Sequence, residues 1–520
     1  MKKTGLFFVC VFINVIVFCQ TNSQIAIVPQ PVKVEQKLGY FILPKNITIQ
    51  TVETTDLKQT VVDLQKRLSV ATGYKVAISG NAPTAIIKLE LNKTGDIKLG
   101  DEGYTLSVTA KNIIIKANKP AGIFYGVQTF MQLLPAEIED SILVKNIAWK
   151  APCVEITDYP RFGWRGLMLD VSRHFFTKKE VEAYIDQMSK YKLNLLHLHL
   201  VDDEGWRIEI KGLPRLTEVG AWSAYMVGQF GSFLPPAKDA PRTNGGFYTQ
   251  DDIKEMVQYA AERFINILPE IDVPGHSLAA IVSYPDLSCT PGAENYQVHS
   301  GERLRGVDNT LSPANEKVYT FLDKVMTQVA ELFPFQYIHV GGDECRKDFW
   351  KQSDSVTALM QRENLKTYEE VQSYFEKRLE KIVESKGKKF LGWDEILEGG
   401  LAPDAAIMSW RGPHDGVAPT DGSPIPNGGI VAAKMGHDVV MSPTEFVYLD
   451  YMQSDRIMEP HVYASLRLNK VYSFDPMPTG IDDADKKHIL GAQANLWTEQ
   501  VYNFRQVEYM TWPRAFAIAE

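Results

Sequence analysis

The chain has 520 residues, 45% of them hydrophobic and 23% charged, a composition that excludes wholesale disorder and leaves room for two to four domains. Lysine and arginine number 55 against 64 aspartates and glutamates, a formal charge of −9. That balance argues against nucleic acid or an anionic membrane surface as partner and leaves a neutral substrate such as a sugar open.

At the N-terminus, Met1-Lys2-Lys3 precedes an apolar run from Leu6 to Phe18, broken only by Asn14 and followed by Thr21 and Ser23. This reads as a secretory signal peptide over residues 1–23, too short for a membrane span, and points to a secreted or periplasmic protein. Lipid anchoring through Cys19 ranks second, because bulky Phe18 stands where such signals carry a small residue. No other run is long and apolar enough to form a transmembrane span. Past the leader, Cys153, Cys289 and Cys345 remain. Without CxxC spacing or a Cys/His cluster they make no zinc site, and at most one disulfide.

Residues 25–158 alternate helix-like and strand-like stretches. Leu57, Val61, Leu64 and Leu68 recur at helical spacing within Asp56–Ala71, Tyr104 to Val108 and Asn112 to Ala117 read as strands, and Ala121 to Leu134 is again helical. No acid, histidine or nucleophile clusters here, so the segment reads as a small α+β domain with a packing role. Pro152 and Pro160 bracket its expected end.

From residue 160 onward a rhythm of apolar strand and amphipathic helix sets in. Strands are expected at Gly166–Val171, Leu193–Val201, Ile265–Val273, Tyr337–Val340, Lys389–Gly392, Ala405–Ser409, Asp438–Met441 and Ile489–Ala494. Helices fall at Thr177–Lys192 and Thr249–Phe264, each opened by a capping box, and at Asn315–Leu332 and Tyr368–Lys386. Eight such units in roughly 360 residues predict an α/β fold, a (β/α)8 TIM barrel over residues 160–520 with its site at the strand C-terminal ends. A doubly wound open sheet is the alternative, but it usually shows an early glycine-rich phosphate loop. Gly228 to Gly246 reads as a long βα loop near the site. The sequence stops at Glu520 within the expected last barrel helix, so truncation of that helix is expected.

An Asp–Glu pair after a strand, as in Tyr337-Ile338-His339-Val340-Gly341-Gly342-Asp343-Glu344, is by itself an ordinary solvated turn. Here every expected strand end carries acid, histidine, arginine or aromatic side chains: Arg173, Asp202, His276, Asp343–Glu344, Trp393, Trp410, Tyr448 with Asp450, and Trp497 with Glu499. Charged groups for hydroxyls beside aromatics for ring faces are what sugar binding needs. A retaining glycosidase opposes two carboxyls about 5–5.5 Å apart. Sequence neighbours such as Asp343 and Glu344 fit that poorly, although Glu344 could pair with Asp202 or Glu499 from another strand.

His199-Leu200-Val201-Asp202-Asp203, Asp272-Val273-Pro274-Gly275-His276, Gly341-Gly342-Asp343-Glu344 and Leu496-Trp497-Thr498-Glu499 resemble, in this order, the signatures of family 20 glycoside hydrolases, the β-N-acetylhexosaminidases. The likeness runs from about Arg161 to the end, and the preceding α+β region is similar to the family's N-terminal domain. The resemblance implies an exo-acting enzyme, without metal or cofactor, acting on an oligosaccharide or glycan with a terminal N-acetylhexosamine. In that family the substrate's own 2-acetamido group is the nucleophile. It implies that Glu344 is general acid then base and that Asp343 orients the acetamido N–H. Tyr448 would bind the acetamido oxygen, with Trp393, Trp410 and Trp497 around that group. Asp202 and His276 would support Glu344, and Arg173, Asp450 and Glu499 would bind sugar hydroxyls. Asp450 also disfavours acidic sugars. His197 and His199 would line the barrel. An acid needs its proton near neutral pH, so a raised Glu344 pKa is expected from burial and the adjacent Asp343. Cys345 departs from the bulkier aliphatic residue expected there. A sugar-binding barrel without catalysis, a retaining enzyme with a protein nucleophile and, further behind, a metal hydrolase are the competing readings.

Overall fold

The computed structural model describes residues 25–51, 55–82, 84–226, 228–232, 234–302, 306–411, 428–455, 457–459 and 462–520. The expected leader, residues 1–23 with Cys19, lies outside the described residues. Among those described, no helix is long and apolar enough to cross a membrane.

The first unit is a seven-stranded mixed sheet. In spatial order its strands are Lys33–Ile42, Lys150–Asp158, Tyr104–Val108, Ile113–Ala117, Ile87–Leu91, Asn46–Thr51 and Lys75–Ser79. Alternation sets its buried face: Tyr104, Leu106 and Val108 lie in one core with Ile113, Ile115 and Ala117. Helices Lys58–Thr72 and Pro120–Gln132 cover that face with Leu64, Leu68, Ile123 and Val127. Pro152 falls inside the last strand rather than at a boundary. Pairing of that strand with Tyr104–Val108 stops at Val154, so Pro152 sits where the strand is paired on one side only, opposite Tyr40. A missing N–H is tolerated there.

From Trp164 the chain forms eight parallel strands: Trp164–Asp170, Leu195–His199, Asn266–Glu270, Tyr337–His339, Lys389–Trp393, Ala406–Ser409, Val439–Met441 and Ile489–Leu496, here barrel strands one to eight. Strand eight pairs with strand one, Ala492 opposite Arg165, and the barrel closes, which excludes the open sheet. Several strands are shorter than expected because the rim leaves the ladder. Val201–Asp202 pairs instead with Gly205–Trp206 in a hairpin, and Val273 makes a single bond to the Val340 carbonyl. Capping boxes hold the helices Lys178–Lys190 and Gln250–Ala261 as expected, through Thr177 with Glu180 and Thr249 with Asp252. Between strands six and seven a short helix spans Gly428–Lys434; residues 412–427 lie outside the described ones.

Outward residues such as Leu196, Leu198, Ile267, Ile338 and Phe390 pack against the helices. Inward, Leu195, Leu268, Tyr337 and Leu391 fill the lower barrel. The inward layer above them is polar and wholly buried: His197, His199, Glu270, His339, Gln493 and Asn495. Sheet and barrel are pinned together by Lys192, whose ammonium donates to Asp158 at 2.8 Å and to the Tyr104 hydroxyl at 3.0 Å.

Candidate active site

The strand-four end is shaped by close approach. Gly341 has φ 72°, and a Cβ there would lie 1.8 Å from Asp272 Oδ1; Gly342 has φ 93°, and its Cβ would lie 2.5 Å from the Ile396 side chain. Only glycine passes both points. Glu344 and His276 follow in left-handed backbone, at φ 45° and 46°, a conformation that costs energy in non-glycine residues and concentrates at functional sites. The result splits the pair. The Asp343 side chain is 12% exposed and its Oδ1 has no partner, whereas 64% of the Glu344 side chain is open.

His276 lies between them and a buried acid. Its Nε2 is 3.7 Å from Glu344 Oε2 and 3.9 Å from Asp343 Oδ2, and its Nδ1 is 3.0 Å from Asp202 Oδ1. Burial opposes charge on His276, but the Asp202 carboxylate holds its pKa well above the usual range. Burial likewise opposes ionisation of Asp202, yet the charges of Arg173 and His276 hold it well below the usual carboxylate range.

The expectation of a raised Glu344 is overturned. The His276 imidazole 3.7 Å from its carboxylate lowers its pKa. Sequence adjacency suggested Asp343 as the dominant neighbour, but the fold presents the strand-three imidazole instead. The raised carboxyl is Asp343, pushed up to about 6 by burial despite His276.

Arg173 is held by four carboxylates, Asp202 at 2.7 Å, Glu204 at 2.9 Å, Asp170 at 3.2 Å and Glu499 at 3.8 Å, and lies 5.1 Å from the centre of the Trp497 ring. Burial pushes Glu499 up to about 7. Asp450 is buried with both carboxylate oxygens unpartnered, and burial with the Glu499 charge raises its pKa well. The aromatics arrive as two pairs. Trp393 and Trp497 lie 5.8 Å apart, and Trp410 stacks on Tyr448 at 6.1 Å, each pair measured between ring centres. Trp393 is 1% exposed and forms a floor, while Trp410 and Trp497 are half-buried. All the expected site residues thus stand at one end of the barrel.

Among the described residues, three groups have donor types that would suit a cation: His197–Glu270–His339, His199–Glu270–Asp272 and Asp202–Asp272–His276. Within them, both His199 nitrogens are already bonded, at 2.5 Å to Glu270 and 2.9 Å to Asp202. In the group that contains it, His199 is thus engaged in ion pairs with two carboxylates.

Residues 162–520 match Glycosyl hydrolase family 20, catalytic domain, and residues 24–159 match Glycosyl hydrolase family 20, domain 2. The chain belongs to glycosyl hydrolase family 20. A Beta-hexosaminidase of Porphyromonas gingivalis is 38% identical over 96% of this chain, which spans 60% of that relative's length. A Beta-hexosaminidase of Vibrio furnissii is 35% identical over 96% of this chain and 76% of its own. Among solved structures, the Streptomyces plicatus N-acetyl-beta-hexosaminidase in complex with Thio-NAglucal superposes with TM-score 0.80 at 31% identity, covering 95% of this chain and 89% of its own.

Within this family 20 chain, sequence reasoning passed over three groups that the fold brings to the site. Glu395 accepts from the Trp410 indole at 2.8 Å, Glu204 sits between Arg173 and His299, and Glu270 accepts from the Trp393 indole at 2.9 Å. Glu395 directly follows Trp393-Asp394, so its rim position was readable; the partners of Glu204 and Glu270 come from distant segments and were not. Cys345 is buried and burial raises its thiol, which makes it an inert packing residue. Cys153 and Cys289 are also free, so the three thiols form no bridge.

Proposed function

We propose that this family 20 chain is an exo-acting β-N-acetylhexosaminidase that releases terminal non-reducing GlcNAc or GalNAc with retention, the substrate's acetamido oxygen serving as nucleophile. The observation that carries the reading is the division of the strand-four pair. Asp343 is buried with one carboxylate oxygen unpartnered, and Glu344 stands open. A buried unpaired acceptor is costly unless a ligand supplies a donor, and an acetamido N–H is such a donor.

In the first step Glu344 donates a proton to the glycosidic oxygen, the C1–O bond breaks, and the acetamido carbonyl oxygen bonds C1. The resulting oxazolinium carries its positive charge at the Asp343-held amide. In the second step Glu344 takes a proton from water, whose oxygen bonds C1 as the acetamido oxygen leaves. Two inversions give retention. Water-free contact with substrate raises the Glu344 pKa toward the acid role, and the adjacent charged His276 is the proton reservoir. Tyr448 binds the acetamido oxygen, Trp410 and Trp497 wall the group, and Arg173, Asp450 and Glu499 take ring hydroxyls. The N-terminal stretch supports export to the periplasm or beyond.

The test is hydrolysis of p-nitrophenyl N-acetyl-β-glucosaminide, its galactosaminide epimer and the plain β-glucoside, with and without EDTA. Turnover of the N-acetylated pair alone, indifferent to EDTA, is expected. Equal turnover of the glucoside would remove the acetamido group from the mechanism.

A further inference from the structure

The site does not end at His276. A line of alternating acids and imidazoles runs from the rim to the barrel axis: Glu344, His276, Asp202, His199 and Glu270. His199 bridges the last two carboxylates with both ring nitrogens, 2.9 Å to Asp202 Oδ2 and 2.5 Å to Glu270 Oε2. Glu270 is wholly buried, and its other oxygen accepts from the Trp393 indole at 2.9 Å, with His339 Nδ1 at 3.0 Å. One carboxylate therefore touches both the support of Glu344 and the floor of the pocket.

We propose that Glu270 is a positioning residue: it holds the His199 imidazole in the orientation that fixes Asp202 beneath His276, and with its second oxygen pins Trp393. The proposal rests on the reading of Glu344 as acid and base. A buried ion cluster is a poor stabiliser, since apolar packing of the same volume commonly does as well, so burial alone gives no reason to place four ionisable groups on a barrel axis. Bridging does give one. An imidazole between two carboxylates donates from both nitrogens only as the cation. Glu270 and Asp202 accordingly keep His199 charged against burial, and His199 in turn keeps Glu270 ionised against burial.

The groups facing this line are defined. His197 Nε2 is 3.1 Å from Glu270, and Asp272, two residues past the end of that strand, lies close to Glu270 and His199. Asp202 is faced by Arg173 and His276, and His276 by Asp203 at 3.7 Å and Asp343 at 3.9 Å. Neutralising Glu270 lets His199 lose its proton. The nearer positive charge then disappears along with the farther negative one. Asp202, His276 and Glu344 all sit in a more negative field, and Glu344 keeps its proton to higher pH.

The experiment is the pH profile of kcat/KM on p-nitrophenyl N-acetyl-β-glucosaminide for the wild type, Glu270→Gln, His199→Gln and the double variant, with circular dichroism on each. Wild-type turnover must come first; its absence would defeat the functional reading and leave the positioning role without a reaction. Given turnover, Glu270→Gln should lose about 10–100-fold in kcat, the scale of a small misplacement of catalytic groups. Its alkaline limb should move upward, and the double variant should be no worse than the worse single one. A folded Glu270→Gln with an unshifted profile, or additive losses in the double variant, would overturn the proposal. So would failure of both single variants to fold, which would assign the network to stability alone.

Discussion

Asp343 and Glu344 are covalent neighbours, yet 12% of the first side chain and 64% of the second are exposed. Across the left-handed turn at Glu344, after two positive-φ glycines, one carboxylate is buried and the other open. Two equivalent carboxylates could not do both jobs. This pair can, because each has its own environment.

Asp343→Asn should therefore separate activity from stability. Loss of the acceptor that stabilises developing charge should lower kcat by about 10²–10³-fold. Burial raises the Asp343 pKa to about 6 in the fold, above its unfolded value of about 3.9. Such a group favours the folded state most below the unfolded pKa, and that advantage is lost as pH rises through the folded one. The asparagine variant should thus have the higher Tm at pH 7, with the gap closing toward pH 3.5. A lower Tm at pH 7 would count against the buried, unpaired carboxylate.

Glu344→Gln should cost about 10²–10⁴-fold in turnover of substrates with poor leaving groups, the usual worth of a general acid. Activated leaving groups should suffer less in the first step. Equal losses across a leaving-group series would take the proton-donor role from Glu344.

The barrel was legible because alternation, capping boxes and turn glycines agree locally. Thr177 with Glu180 and Thr249 with Asp252 cap the helices that the spacing predicts. The placement of the motif residues at the strand ends was legible for the same reason. The protonation balance at Glu344 was not, because it depends on which strand lies next to strand four, and it is set chiefly by His276 rather than Asp343. Nor was the role of Glu270. Leu268 and Glu270 alternate inward like any strand residues, and only barrel closure shows that His199, His339 and Trp393 converge on one carboxylate.

Two glycine variants test the close approach at strand four. Gly306, at φ 69° with open space around its absent Cβ, should tolerate alanine at a cost of about 1–2 kcal/mol, the left-handed strain alone. Gly341→Ala adds a 1.8 Å overlap with Asp272 Oδ1 and should cost several times more. Similar denaturant midpoints for the two would show that strand four yields where the structure has it rigid.

Lys192→Met removes the partner of Asp158 between sheet and barrel and should destabilise by about 3–5 kcal/mol, as breaking buried pairs does. Adding Asp158→Asn, which relieves the unpaired charge and still accepts from Tyr104, should recover most of that loss. Urea unfolding of the two variants is the check, and equal losses would leave Asp158 solvated rather than paired.

The central claim is that the substrate brings its own nucleophile to a site whose two acids are neighbours. It is tested most directly by kcat/KM across p-nitrophenyl glucosaminides whose N-acyl group is acetyl, monofluoroacetyl, difluoroacetyl and trifluoroacetyl. Fluorine withdraws electrons from the attacking carbonyl oxygen, so the rate should fall steeply and in order along the series. A flat series with intact turnover would place the nucleophile on the protein and contradict the account.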